Sequence, residues 1–106
     1  MKDDTLYQIH ICECIDRIHS YVHGMTESSF KSSSLTQDAV LRNLQILSES
    51  TQRLSDEFKS RHNEIEWHKI AGLRNLLVHD YLGIDINTVW VIINKELTTL
   101  KKVVQK

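Results

Sequence analysis

Four side chains able to bind or protonate a substrate interrupt an otherwise apolar stretch between residues 72 and 81. They are Arg74, Asn75, His79 and Tyr81, and leucine and valine fill most of the remaining positions. On a helix that advances about 100° per residue, Asn75 and His79 share one sector, while Arg74 and Tyr81 share a neighbouring one. A helix buried over most of its surface carries such groups only when they are paired or used. The pattern therefore predicts either a reactive polar patch or a structural network of mutually satisfied groups.

The arginine and the histidine suit cleavage of an RNA phosphodiester by its own 2′-hydroxyl. That reaction needs a base for the hydroxyl, an acid for the departing 5′-oxygen and positive charge at the phosphorane, but no metal. His79 can move the proton, and Arg74 can hold the phosphate through two hydrogen bonds. A regular helix offsets them by about 140° and about 7.5 Å, and one histidine is one proton-transfer group too few. We therefore expect a symmetric homodimer that pairs two copies of the patch across a cleft.

Other kinds of site are less well supported by the residue types. His10 with Cys14, and His19 with His23, have the i,i+4 spacing of paired ligands, but a zinc site needs three or four. The serines lie in no strand-turn-helix elbow, and no glycine-rich phosphate loop occurs. No metal and no other cofactor is expected.

Composition narrows the class of protein. A chain of 106 residues with no proline and three glycines is expected to form one domain, residues 1–106, of long helices. Its net charge of −1 gives no general attraction to nucleic acid, so contact with RNA must come from a local patch. The longest apolar run, residues 89–93, is too short to span a membrane. Cys12 and Cys14 lie too close on a helix to pair, which favours a reducing, cytoplasmic location.

Apolar residues at helical spacing predict an all-α, antiparallel up-down four-helix bundle. The pattern also allows extra short helical segments beside the four main helices. Three helices are expected to start at capping boxes, near residues 5, 34 and 63, and the last one to be capped by Asp85. The first and third should stop at Gly24 and Gly83, and the second near residues 60–62. Residues 26–34, with a lone Phe30, are predicted to be a surface loop.

The second helix carries the candidates for facing the Arg74 patch. They are Arg42, Asn43, Glu49, Ser50 and Arg53. Glu49 can orient a nearby arginine through charge-assisted hydrogen bonds. The alternative for Glu49 is a solvated side chain on a long helix.

The element Arg74-x-x-x-x-His79-x-Tyr81, with Asn75 directly after the arginine, resembles the signature of HEPN-domain proteins and, more narrowly, of their HepT branch. Residues 65–73 before the motif, and residues 80–85 and 89–90 after it, are similar to that branch as well. So are residues 40–44 and 48–50 of the second helix. The chain departs from the pattern at Glu66, where many relatives have proline, and at the serines that flank Glu49.

The resemblance implies an all-α homodimer with its cleft between subunits, acting as a metal-independent endoribonuclease toxin. It implies a type VII toxin–antitoxin pair, whose antitoxin is an MntA-like nucleotidyltransferase. Carried onto this chain, Arg74 and His79 are catalytic, Asn75 supports them and Tyr81 is adenylylated. Glu49 and Asp80 are further candidates for positioning these groups.

On a continuous helix Tyr81 would lie beside Arg74, so phosphate and adenine added to Tyr81 would block and repel RNA. Two alternatives remain. One is a non-catalytic HEPN scaffold that binds a nucleotidyltransferase partner or a nucleotide. The other is a plain helical interaction module.

Overall fold

The computed structural model describes residues 4–105, which form helices and turns without a β-strand. In chain order the helices are α1 (Asp4–Val22), α2 (Glu27–Lys31), α3 (Ser34–Gln52), α4 (Asp56–Ser60), α5 (Trp67–His79), α6 (Ile86–Val91) and α7 (Leu97–Val104). A π-helical segment (Ile92–Glu96) joins α6 to α7 in one continuous rod. With α1, α3 and α5, this rod builds the predicted all-α bundle, and the short helices α2 and α4 lie in connections. No helix within residues 4–105 is long and apolar enough to span a membrane.

The apolar stripe of α1 enters the core as predicted. Ile11, Ile15 and Ile18 are fully buried, and α1 packs most extensively on α3. The capping box expected near residue 5 is wrong, because the helix already includes Asp4. The buried Gln8 instead donates from Nε2 to the carbonyl of Val104, 2.9 Å away, and so ties α1 to the end of α7.

The loop predicted over residues 26–34 is wrong, since its middle forms α2. Thr26 and Ser29 make a reciprocal capping box, with serine in the place of the usual glutamate or glutamine. Phe30 is fully buried, and its ring centroid lies 5.2 Å from that of Trp90. Gln37 then donates from Nε2 to the carbonyls of Phe30 and Lys31 at the end of α2, each over 2.9 Å.

The long second helix is also interrupted, because α3 ends at Gln52. Ser55 donates from its backbone nitrogen and its hydroxyl to the Asp4 carboxylate, each over 2.7 Å, and also caps α4. Leu54 and Phe58 stay buried as their spacing predicts. The burial pattern was therefore correct although the helix was not continuous.

The helix that carries the motif begins and ends at residues other than those predicted. It starts at Trp67, not at a box on Asn63, and Trp67 Nε1 donates to the carbonyls of Lys59 and His62. It ends at His79, because Asp80 leaves the helical conformation with φ −146° and ψ 56°. Residues 81–83 form a separate 3₁₀ turn, so the stop expected at Gly83 lies four residues too far along.

The last rod confirms both its predicted cap and its buried stripe. The side chain of Asp85 accepts from the backbone nitrogen of Asn87 at 3.0 Å. Val89, Ile93 and Leu97 are all buried although each step between them is four residues, which rotates an α-helix by about 40°. The wider π-helical turn between residues 92 and 96 reduces that drift, so all three side chains face the core.

Candidate active site

Arg74 lies on the side of α5 that packs against α3. Its side chain is 30% exposed, and Nη2 is 3.8 Å from Glu49 Oε2. Nη1 donates to Asn75 Oδ1 over 3.3 Å, whereas the buried Nε has no hydrogen-bond partner in the described part of the chain. Since 3.8 Å exceeds hydrogen-bond length, Glu49 attracts the guanidinium without saturating it. Arg74 is thus oriented from two sides and keeps donors for an anion.

The surface of α5 is far more exposed than its apolar sequence predicts. Leu77 is the buried residue of this helix, while Leu76 and Val78 are 38% and 40% exposed. Asn75 and His79 are exposed too. A buried network of mutually satisfied groups is therefore wrong for this patch, which faces outward in a single chain.

His79 does not converge on Arg74 within one chain. The helix is regular through His79, its last residue, and the break comes only at Asp80. The two side chains are therefore offset by about 140° around α5 and about 7.5 Å along it. Two arginine–histidine pairs can face one substrate only if a second α5 lies opposite the first.

Tyr81 lies outside the helix, so its predicted place beside Arg74 is wrong. Its hydroxyl donates to Asp38 Oδ1 over 3.2 Å, near the start of α3. Arg74 faces Glu49, which lies on α3 as well, eleven residues or about 16 Å beyond Asp38. Burial, followed by the charge and the hydrogen bond of Asp38, raises the pKa of Tyr81 above its ordinary value.

Asp80 shapes the turn that carries Tyr81. Its carbonyl accepts from the backbone nitrogen of Gly83 at 3.0 Å. The Asp80 carboxylate lies so close to Gly83 that a Cβ at residue 83 would collide with it. Asp80 therefore positions the turn after α5.

Asp38 was not among the candidates taken from the sequence, although its spacing from Glu49 held a signal. Eleven residues rotate a helix by about 1,100°, or three turns and about 20°, so both carboxylates lie on one face of α3. Arg42 is exposed on the same helix, one turn beyond Asp38. Asn43 and Ser50 are both buried in the core and were wrong candidates for the patch.

A second concave surface lies away from the motif. A groove of about 290 Å³ separates α5 from the last rod, with an apolar floor that includes Leu73, Ile92 and Leu97. None of the motif side chains Arg74, Asn75, His79 and Tyr81 lines it. No group of three or more potential metal ligands occurs in residues 4–105, and Cys14, which has the i,i+4 spacing from His10, is buried in the core.

Comparison with known proteins gives consistent matches. The family described as "Ribonuclease HepT-like" matches residues 11–106. A Methanocaldococcus jannaschii protein named "Gamma-glutamylcyclotransferase and putative RNase" is 35% identical over 99% of this chain, which spans 47% of that relative. A "Putative RNase" of Caldanaerobacter subterraneus is 31% identical, with 100% of this chain and 95% of the relative covered. A "Probable ribonuclease HepT" of Thermococcus cleftensis is 32% identical, with 90% of this chain and 86% of the relative covered. No solved structure gives a significant match.

Proposed function

Because the chain belongs to the ribonuclease HepT-like family, we propose that it is a metal-independent endoribonuclease whose cleft forms between two copies of the chain. The observation that carries the proposal is the Arg74 guanidinium, held between Asn75 and Glu49, whose Nη2 donates no hydrogen bond within residues 4–105. A planar guanidinium with free N–H groups matches the geometry of a phosphate. The net charge of −1 means that this local group supplies the attraction that the whole chain does not.

In the proposed reaction the 2′-oxygen of RNA bonds to the adjacent phosphorus and the bond from phosphorus to the 5′-oxygen breaks. The His79 side chain of one subunit accepts the proton of the 2′-hydroxyl, and that of the other donates a proton to the departing oxygen. Arg74 stabilises the negative charge on the phosphorane oxygens, and Asn75 holds its Nη1 in position. The products are a 2′,3′-cyclic phosphate and a 5′-hydroxyl.

Two features of α5 support a homodimer whose contact includes this helix. Leu76 and Val78 expose apolar surface beside the motif. Gly72 lies on the exposed face in the middle of α5, and outside its own helical turn no atom of residues 4–105 lies within 4 Å of the position that a Cβ would take. Glycine within an exposed helix costs about 1 kcal/mol relative to alanine, and no close contact within residues 4–105 requires it. Close approach of a second α5 at Gly72 explains its presence.

The proposed regulation is adenylylation of Tyr81 by an MntA-like nucleotidyltransferase antitoxin, in a cytoplasmic toxin–antitoxin pair of type VII. Tyr81 is 40% exposed on a turn, so a partner enzyme can reach its hydroxyl. Tyr81 points to Asp38, whereas Arg74 points to Glu49. The added phosphate and adenine would therefore not lie directly beside Arg74, as they would on one continuous helix. Bulk and negative charge at Tyr81 would instead act on RNA that extends across the exposed side of α5 and α3.

Cleavage of RNA by purified, unmodified protein in excess chelator tests the proposal. Arg74→Ala and His79→Ala should each lower the rate by about 100-fold or more, because each removes a group that acts in the transition state. Tyr81→Phe should cleave at the parent rate and remain unmodified when incubated with antitoxin and ATP. A folded Arg74→Ala or His79→Ala variant that cuts at the parent rate would disprove the catalytic assignment. Failure of the unmodified parent to cut would favour a non-catalytic scaffold.

A further inference from the structure

The hydroxyl of Tyr81 is engaged by one carboxylate. Tyr81 Oη donates to Asp38 Oδ1 over 3.2 Å, although the two residues are 43 positions apart in the chain. Both side chains are exposed, so the pair is open to an incoming substrate. The break at Asp80 and the close fit of Gly83 against the Asp80 carboxylate set the turn that presents Tyr81 to α3.

We infer that Asp38 is the catalytic base of Tyr81 modification, accepting the phenolic proton as the hydroxyl attacks a nucleoside triphosphate. This inference rests on the proposed function, which supplies the nucleotidyltransferase and its triphosphate. The Tyr81 oxygen forms a bond to the α-phosphorus, the bond to the bridging oxygen breaks and pyrophosphate leaves. The proton passes to Asp38 Oδ1. The acceptor chain therefore brings part of the catalytic machinery for its own inactivation.

The chemistry explains why a carboxylate is useful at this position. A neutral phenol is a weak nucleophile, and an adjacent general base is a common way to activate a hydroxyl. Burial, and after it the same carboxylate, raises the pKa of Tyr81, so little phenolate exists at neutral pH before the substrate arrives. Activation must then occur during attack, by proton transfer to a group already within hydrogen-bond distance.

Modification also removes the interaction that holds Tyr81 to α3. An adenylylated tyrosine has no hydroxyl proton to donate, and it carries a negative phosphodiester next to a carboxylate. Once Asp38 has lost its proton to solvent, the two like charges repel each other. We therefore expect the modified side chain to move away from Asp38 and toward the exposed side of α5.

Asp38→Asn distinguishes a base from a simple tether, because its amide oxygen still accepts the hydrogen bond but cannot take the proton. The variant and the parent are incubated with a purified MntA-type nucleotidyltransferase and Mg²⁺–ATP, and the mass of the chain is followed with time. At pH 7 we expect modification of Asp38→Asn to be about 100-fold slower, as is typical when a general base is lost. Its rate should rise with pH up to the ionisation of Tyr81, and it should do so much more steeply than the parent rate.

Two other results would overturn the inference. If Asp38 were only a tether, Asp38→Asn would be modified at the parent rate and Asp38→Ala more slowly. If preformed phenolate were the nucleophile, Asp38→Asn would be modified faster, because loss of the carboxylate lowers the pKa of Tyr81. The pH profile separates these cases from a folding defect, and circular dichroism checks the fold of each variant.

Asp56→Asn is the matched control, since Asp56 is an exposed aspartate on α4 that takes no part in the site. It should be modified at the parent rate at every pH. A parent chain that gains no adenylyl mass on Tyr81 would refute the proposed regulation itself, and the inference with it. If the parent and Asp38→Asn are instead both modified at the parent rate, only the role of Asp38 is refuted.

Discussion

Mixing wild-type subunits with His79→Ala subunits should lower RNA cleavage in proportion to the square of the wild-type fraction. In one chain, Arg74 and His79 are separated by about 140° and about 7.5 Å on a regular helix, so a single subunit does not complete the site. If one His79 is the base and the other the acid, a dimer with a single intact His79 lacks one proton transfer. Activity then comes only from dimers of two wild-type chains.

The expected size of the loss follows from random pairing. With half of the subunits wild type, about one quarter of the activity should remain, against about one half if each subunit worked alone. With one quarter wild type, about 6% should remain, against about 25%. At one quarter wild-type subunits, the activities expected for a shared site and for independent subunits therefore differ by a factor of about four.

The assay uses subunits carrying two different tags, mixed in denaturant and refolded together, with random pairing verified by native mass spectrometry. Cleavage of a fluorogenic RNA is then measured in excess chelator. His23→Ala, an exposed histidine just beyond α1, is the control and should leave activity unchanged at every fraction. A linear dependence on the wild-type fraction would refute the shared site and would require α5 to deform until Arg74 and His79 of one chain meet.

Three further predictions concern the fold and its surfaces. Phe30→Ala should lower the free energy of unfolding in urea by about 3–5 kcal/mol, because it empties a fully buried site against Trp90; a loss under about 1 kcal/mol would contradict the packing of α2. Gly72→Leu should yield folded monomers by light scattering, because the single chain has room for the side chain but the proposed dimer contact does not; an unchanged dimer would place the contact elsewhere. Burial raises the pKa of the Cys14 thiol, so iodoacetamide at pH 8 should label it far more slowly than a free cysteine peptide, and more quickly as pH rises; rapid labelling of the native chain would contradict its place in the core.

Much of the core was predictable because burial leaves a local periodic signal. The stripes of α1 and of the last rod are buried as their spacing indicates, and Leu54 and Phe58 remain buried although α3 has ended. The break before α4 was not predictable, since it depends on Ser55 bonding to Asp4, 51 residues away. A short-range pattern carries no information about such a partner.

The candidate site was predictable in its residues but not in its arrangement. The spacing of Arg74, His79 and Tyr81 identified the motif, whereas the break at Asp80 moved Tyr81 off the helix. Asp38 became visible only when α3 and the turn were packed together. The exposure of α5 was not predicted, because an exposed helix rich in apolar residues has the same sequence pattern as a helix buried in the core. The roles of Arg74, Asn75, His79 and Tyr81 stay predictions until they are tested.

The common face of Asp38 and Glu49 on α3 also limits how this chain can change length during evolution. One residue inserted or deleted between them would turn one carboxylate by about 100° relative to the other, and so detach either Tyr81 or Arg74 from its partner. Length changes are far better tolerated at a surface connection than within a helix. Insertions and deletions should therefore collect in the connections around α2 and α4, while the eleven-residue interval on α3 stays constant.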